Sequence, residues 1–303
     1  MMGSINAWIL AARLRTLPLS LSGILIAAAI AIDAGLFNTS VFVWSLVITV
    51  LLQVLSNVAN DYGDGVKGTD NADRIGPKRA MQSGLLTANA LKWGMSVLVV
   101  LTVVAIWRLF VEADLPFIDL MFFVGLGFFA LVAAIAYTVG KRPYGYRGWG
   151  DIMVFVFFGG VSVIAGSYLY IQTFSVTQFL FALSVGLYST SVLNLNNLRD
   201  SESDALSNKM TLVVRMGYKK AIVYHHVLLI VGFVAYVAGV GQIDPNATLI
   251  ALPIAFFLRA HLKRVRSAKS TLAALDPELK RIALFTFFSA LFVFILVGIK
   301  ANQ

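Results

Sequence analysis

Two short stretches concentrate side chains that could do chemistry. The first is Asn57-Val-Ala-Asn60-Asp61-Tyr62-Gly63-Asp64-Gly-Val-Lys67-Gly-Thr69-Asp70-Asn-Ala-Asp73-Arg74, and the second is Asn194-Leu-Asn196-Asn197-Leu-Arg199-Asp200-Ser-Glu202-Ser-Asp204. If the first stretch is helical, Asn57, Asp61 and Asp64 stand at i, i+4 and i+7 on one face; Asn196, Asp200 and Asp204 repeat the pattern at i, i+4 and i+8. Grouped carboxylates repel one another and call for a positive partner. Carboxylate and amide oxygens are hard ligands suited to Mg²⁺, which takes one or two carboxylates and completes its shell with water and substrate phosphate. Two such tips facing each other would hold a diphosphate between metal ions. A single cluster reads equally well as interfacial salt bridges with Lys67, Arg74 and Arg199; the matching pair favours the metal and diphosphate.

Cations follow each cluster: Arg74, Lys78 and Arg79 after the first, Lys209 and Arg215 after the second. Arg grips phosphate oxygens as a fork and Lys as a point charge. No P-loop sequence accompanies them. His225, His226 and His261 lack a carboxylate at zinc-ligand spacing and read as structural, and no Ser-His-Asp arrangement occurs. The chain has no cysteine, which excludes disulfides and thiolate chemistry.

The elements that carry these tips are apolar. Of 303 residues, 59% are hydrophobic and 13% charged, with a mean hydropathy of +0.83. Ordinary soluble domains have about 45–50% apolar and about 25% charged residues, so a soluble enzyme, a disordered chain and a coiled coil are excluded. Nine candidate spans follow: Leu17–Ile32, Val41–Ala59, Trp93–Phe110, Phe117–Thr138, Ile152–Ile171, Gln178–Leu198, Ala221–Val240, Ala247–Leu258 and Ile282–Ile299. The first and eighth are short against the about 20 residues a bilayer needs. Unbroken apolar runs must be helices there, since lipid offers no hydrogen-bond partners. The reading is one all-α, polytopic transmembrane domain over 1–303, with a central cavity open to the cytoplasmic face.

Long connections, Asn60–Lys92, Gly140–Asp151, Arg199–Lys220 and Arg259–Arg281, alternate with short ones. Every Lys and Arg except Arg108 and Lys300 lies on the side of the long connections and the N-terminus. The positive-inside rule puts that side in the cytoplasm and the C-terminus outside. The net charge of +9 is then a topology signal and requires no nucleic-acid partner. The first apolar run reads as a signal anchor without a cleavage site, and the similar motif helices suggest a weak repeat of spans 1–4 and 5–8.

On these residues the chain resembles the UbiA superfamily of intramembrane aromatic prenyltransferases, and within it the naphthoate branch of menaquinone biosynthesis. The likeness rests on Asn60-Asp61-Tyr-Gly-Asp64 with Lys67-Gly-Thr69-Asp70 and Arg74-Ile-Gly-Pro77. It extends to Tyr137-Thr-Val-Gly140-Lys141-Arg142-Pro143-Tyr144-Gly145-Tyr146-Arg147-Gly148, and to Asn196-Asn197-Leu-Arg199-Asp200 with Asp204 and Thr211-Leu-Val-Val-Arg215. The resemblance implies that Asp61, Asp64, Asp200 and Asp204 bind Mg²⁺ and diphosphate. Asn57, Asn60, Asn196, Asn197 and Asp70 support them, and Tyr137 with Lys141 forms a Tyr-x-x-x-Lys element beside the reacting groups. It further implies transfer of a polyprenyl group from polyprenyl diphosphate to 1,4-dihydroxy-2-naphthoate, with loss of CO₂, in the bacterial inner membrane among lipid.

Tyr62, Tyr137, Tyr144, Tyr146 and Tyr188 are candidate rings for steadying an allylic cation. Lys141, Arg142 or Arg147 would hold the acceptor. Another phenolic acceptor such as 4-hydroxybenzoate, a phytyl donor, and a multipass transporter or lipid-binding protein whose polar helix tips line a pathway are the alternatives. Acids at one membrane face, rather than at the midplane, favour interfacial chemistry over transport.

Overall fold

The computed structural model describes residues 2–70, 75–268 and 272–303. Arg74 and Asp73 of the first motif lie outside the described residues. The described chain is helical: α1 (Met2–Ala12), α2 (Leu17–Asp33), α3 (Thr39–Lys67), α4 (Ala88–Ala113), α5 (Phe117–Ala136), α6 (Gly150–Ile171), α7 (Val176–Arg199), the short α8 (Ser201–Leu206), α9 (Leu212–Ile243), α10 (Ala251–Ser267) and α11 (Leu275–Lys300). Nine helical stretches among the described residues are long and apolar enough to cross a bilayer. The chain is an all-helical, multi-pass membrane protein.

Most spans run beyond their apolar stretches because polar residues cap and satisfy their ends. Asn38 accepts hydrogen bonds from the backbone N–H of Ser40 and Val41, Thr87 from Ala90, and Ser175 forms a reciprocal capping box with Gln178. The chief difference from the sequence reading is α3, which continues past Ala59 to Lys67 and shortens the loop expected at Asn60–Lys92. It stops at Gly68, whose left-handed backbone (φ 72°) brings its N–H back to the carbonyls of Asp64 and Gly65. The eighth span also lengthens, reaching Ser267 through a basic tail. Within α6, residues Phe155–Ala165 form a π-helix. In α9, Gly217 (φ 76°, ψ 160°) breaks the helix between its first turn and the span.

The packing puts both motif helices around one hollow. α2 is the most enclosed span and packs on α3, α6 and α11, while α7 packs on α6, α9 and α11. Each motif helix leans on the span that follows it, α3 on α4 and α7 on α9. At the end opposite the motifs, Lys300 pairs with Asp33 at 3.5 Å and donates to the carbonyl of Ile243.

At the motif end, a buried polar clamp ties α9, α10 and α11. His225 and His261 meet at 3.0 Å between Nε2 atoms, the Nδ1 of His261 lies 2.7 Å from Glu278, and Glu278 also receives Arg264 and Arg281. The carboxylate that sequence spacing did not offer the histidines thus comes from another helix. Arg264 and Arg281 fill its remaining sites, which makes the group a strut between spans. Among the described residues no group of three His, Cys, Asp or Glu side chains forms a metal cage.

Candidate active site

A cavity of about 950 Å³ runs from the motif end into the bundle. Its inner wall is apolar, with Ile48, Leu52, Phe110, Phe123, Phe157 and Leu169 among its members. Its mouth carries Asp64, Arg79, Lys209, Asn60, Asn196 and Arg199. Such a chamber suits a molecule with a charged head and a long hydrocarbon body.

The first motif is helical, as the i, i+4, i+7 argument required, yet its three polar side chains do different work. Asn57 donates to the carbonyl of Ala12 and to Thr16 Oγ1, fastening the N-terminal segment to α3. Asp61 is buried and accepts the backbone N–H groups of Ala80 and Met81, one on each carboxylate oxygen, so it shapes the loop after the motif. Asp64 is the motif acid on the cavity wall. Tyr146 donates to its Oδ1 at 2.8 Å, and Arg79 and Lys209 stand 4.0 and 3.9 Å from its Oδ2. Arg79 also lies 3.6 Å from Asp70, and Thr69 shares a hydrogen bond with Tyr146.

Gly63 is required between these acids. A Cβ there would lie 2.8 Å from the backbone carbon of Thr138, and the Thr138 hydroxyl donates to the carbonyl of Ala59 and to Asn60 Oδ1. That close approach brings the Tyr137 segment against α3.

The second motif departs from the continuous face expected of it. α7 ends at Arg199, Asp200 takes a non-helical conformation (φ −95°, ψ 8°), and α8 carries Asp204 onward. Arg199 grips Asp200 and also reaches Asn196 and Asp276. Asp204 lies 3.4 Å from Lys209, and its other oxygen is buried without a hydrogen-bond partner in the protein. Burial raises the Asp204 carboxyl to about 6, with Lys209 opposing and the fields of Asp200 and Asp64 reinforcing the rise. Burial works against the charge of Lys209, but Asp64 and Asp204 outweigh it and hold the ammonium firmly charged. Asn197 is also buried, and its carbonyl oxygen lacks a protein partner.

Asp64, Asp204, Arg79 and Lys209 therefore converge. Asp64, Arg79 and Lys209 line the cavity, and Tyr137 joins them there, its phenol pushed up to about 12 by burial. The other candidate cations do not converge. Lys78, Lys141, Arg142, Arg147 and Arg215 are exposed and do not line the cavity. Arg215 donates to the carbonyl of Met210, and Lys67 donates to that of Thr138, so both brace loops. Lys141 thus separates from Tyr137: the helix ends at Ala136 and the following turn carries the lysine outward.

The sequence reading passed over Arg13, Arg15, Gln53 and Lys280, all on the cavity wall. Arg13-Leu-Arg15 immediately before the first span was the available signal. Gln53 gave a fainter one, a polar residue inside an apolar run; it accepts from Ser20 and donates to Asn57.

An apolar chamber capped by acids and cations, inside a helical membrane bundle, defines an intramembrane enzyme for amphiphilic anionic substrates. The chain belongs to the UbiA prenyltransferase family, which matches residues 20–289. It is 47% identical over 238 residues to a 1,4-dihydroxy-2-naphthoate octaprenyltransferase of Haemophilus influenzae, covering 77% of each chain. It is 46% identical over 224 residues to the enzyme of that name in Escherichia coli, covering 74% of this chain and 73% of the relative. Among solved structures, an apo UbiA homolog from Aeropyrum pernix superposes with a TM-score of 0.62 at 15% identity, over 92% of this chain and 97% of that one. A UbiA homolog from Archaeoglobus fulgidus bound to DMAPP and Mg²⁺ gives 0.59 at 13% identity, over 93% and 99%. At such identities the likeness speaks to fold.

Proposed function

We propose that this membrane prenyltransferase moves a polyprenyl group from polyprenyl diphosphate to 1,4-dihydroxy-2-naphthoate, with loss of CO₂ and diphosphate. The observation that carries the reading is the meeting of Asp64 and Asp204, one from each motif, on either side of Lys209 at the polar mouth of an apolar chamber. Relatives bearing the naphthoate name support the acceptor. The site belongs at the cytoplasmic face of the bacterial inner membrane, with the N-terminus inside and the C-terminus outside, as the distribution of basic residues supports.

The donor set fits Mg²⁺. Asp64 and Asp204 offer hard oxygens, one of them without a protein partner, and Mg²⁺ takes one or two carboxylates and completes its shell with water and substrate phosphate. When bound, Mg²⁺ supplies charge stabilisation for the departing diphosphate. Asp61 and Asp200 act from behind, the first by holding the 80–81 backbone and the second by holding Arg199. Arg79 and Lys209 take phosphate oxygens and hold the diphosphate at the mouth.

As the allylic C–O bond breaks, its electron pair leaves with diphosphate and the allylic carbon becomes cationic. The Tyr137 ring lies on the cavity wall to face that charge, and the apolar walls exclude water. The carboxylate-bearing carbon of the electron-rich ring forms the new C–C bond. Loss of CO₂ returns the electrons of the C–C(carboxylate) bond to the ring, and demethylmenaquinone is released as its quinol.

The deciding experiment incubates purified protein with Mg²⁺, a polyprenyl diphosphate and either 1,4-dihydroxy-2-naphthoate or 4-hydroxybenzoate, following prenylated product and CO₂. Product and CO₂ from the naphthoate alone are expected. Prenylation of hydroxybenzoate in preference to naphthoate would overturn the acceptor.

A further inference from the structure

We infer that Lys209 is an internal stand-in cation that holds the two acidic motifs together and keeps free divalent ions out until a diphosphate arrives. The inference rests on the diphosphate-binding reading above. Its ammonium lies 3.4 Å from Asp204 and 3.9 Å from Asp64, so one nitrogen bridges carboxylates from the two halves of the chain. The lysine is buried, and without a positive charge between them those acids would repel one another in poorly screened surroundings.

The backbone under Lys209 is pinned. Asn208 takes a left-handed conformation (φ 55°), the Lys209 N–H donates to the Asp204 carbonyl at 2.8 Å, and the Met210 N–H donates to the Tyr146 carbonyl at 3.1 Å. What can move is the four-carbon stem, which swings a point charge from one anion to another. The other motif acids are engaged as well: Asp61 with the 80–81 backbone, Asp200 with Arg199. A free divalent ion entering between Asp64 and Asp204 must displace the ammonium or share its space. A diphosphate removes that conflict by giving Lys209 phosphate oxygens to follow, which leaves both carboxylates to the metal. Lys209 is thus a positioning residue that makes metal binding conditional on the substrate head group.

The test titrates Mn²⁺ into chelator-treated full-length protein in nanodiscs, reading bound ion by electron paramagnetic resonance, with and without geranyl S-thiolodiphosphate, an uncleaved analogue. Complexes between ion and analogue in solution are subtracted. Wild type should bind Mn²⁺ weakly alone and about tenfold or more tightly with the analogue. K209M should bind Mn²⁺ about tenfold or more tightly without it and lose most of the synergy, while K209R keeps the wild-type pattern. Mn²⁺ binding to K209M no tighter than to wild type overturns the inference. Should K209M fail to fold, the wild-type titration decides, since Mn²⁺ affinity indifferent to the analogue overturns it equally. Prenyl transfer is assayed on the same preparations. An inactive wild type with tighter Mn²⁺ binding in K209M refutes the proposed reaction alone; an active, Mg²⁺-dependent wild type with unchanged binding in K209M refutes the lysine's role alone.

Discussion

Arg199 and Asp200, adjacent in the chain, hold each other in a two-point ion pair, Nε to Oδ1 at 2.8 Å and Nη2 to Oδ2 at 2.7 Å, at the point where α7 ends. The remaining guanidinium nitrogen reaches Asp276 on α11 at 2.6 Å. One arginine thereby ends the second motif helix and fastens it to the last span. Arg199→Ala is expected to lower stability by about 3 kcal/mol, since it breaks a buried pair. Arg199→Lys keeps the charge, loses the fork, and should fall between. Thermal unfolding in detergent measures both, and a melting curve unchanged in the alanine variant would refute the strut.

The four motif aspartates should separate into two classes. Asp64→Ala removes the acid on the cavity wall and Asp204→Ala the acid behind Lys209, and turnover should fall by about 10²-fold or more while the protein stays folded. Asp61→Ala and Asp200→Ala should also lose turnover, together with thermal stability, because their oxygens hold the Ala80–Met81 backbone and Arg199. Unfolding curves beside turnover for all four decide it. Wild-type rates in every variant would remove the metal-site proposal.

Divalent ions should be indispensable. Excess chelator is expected to abolish prenyl transfer and added Mg²⁺ to restore it, measured as product formed from a polyprenyl diphosphate. Full turnover in chelator would leave the diphosphate to Arg79 and Lys209 alone.

Gly63→Ala tests the contact between α3 and the Tyr137 segment. The added methyl meets the backbone of Thr138, which cannot rotate aside, so a cost of about 1–3 kcal/mol is expected. Activity should fall with it, because Asp64 and Tyr137 would part. An alanine variant as stable and active as wild type would show that this approach is looser than the structure has it.

Glu278→Gln should destabilise the bundle by about 1–3 kcal/mol, since it removes the charge that Arg264, Arg281 and His261 share. None of these groups lines the cavity. The KM of the folded fraction should therefore stay unchanged, and a raised KM for either substrate would refute a purely structural clamp.

The spans were legible because lipid demands unbroken apolar helices, and the two acidic clusters were legible because nothing apolar explains them. Their exact extents were less so. Asn60 through Lys67 reads as loop by hydropathy, yet it is helical because Asp61 finds backbone donors nineteen and twenty residues on, at Ala80 and Met81. No local pattern announces such a partner. Similar spacing in the two motifs suggested similar geometry, but Arg199 pairs with Asp200 where the helix ends. Positive charges were the hardest to sort, because the topology bias and phosphate binding ask for the same residues on the same side. Lys209 turns inward, its backbone set by Asn208, while Lys141 and Arg142 are exposed. The histidines found a carboxylate only through the contact of α10 with α11.

The π-helical stretch from Phe155 to Ala165 contributes Phe157, Phe158, Val161 and Ser162 to the chamber. Each of its turns holds more residues than an α-helical turn, so the side chains that face inward depend on how many residues precede them as well as on what they are. A substitution here alters one side chain and leaves the facing of its neighbours unchanged. Dropping or adding a single residue would rotate one flank of the helix against the other and turn part of the chamber wall toward the lipid.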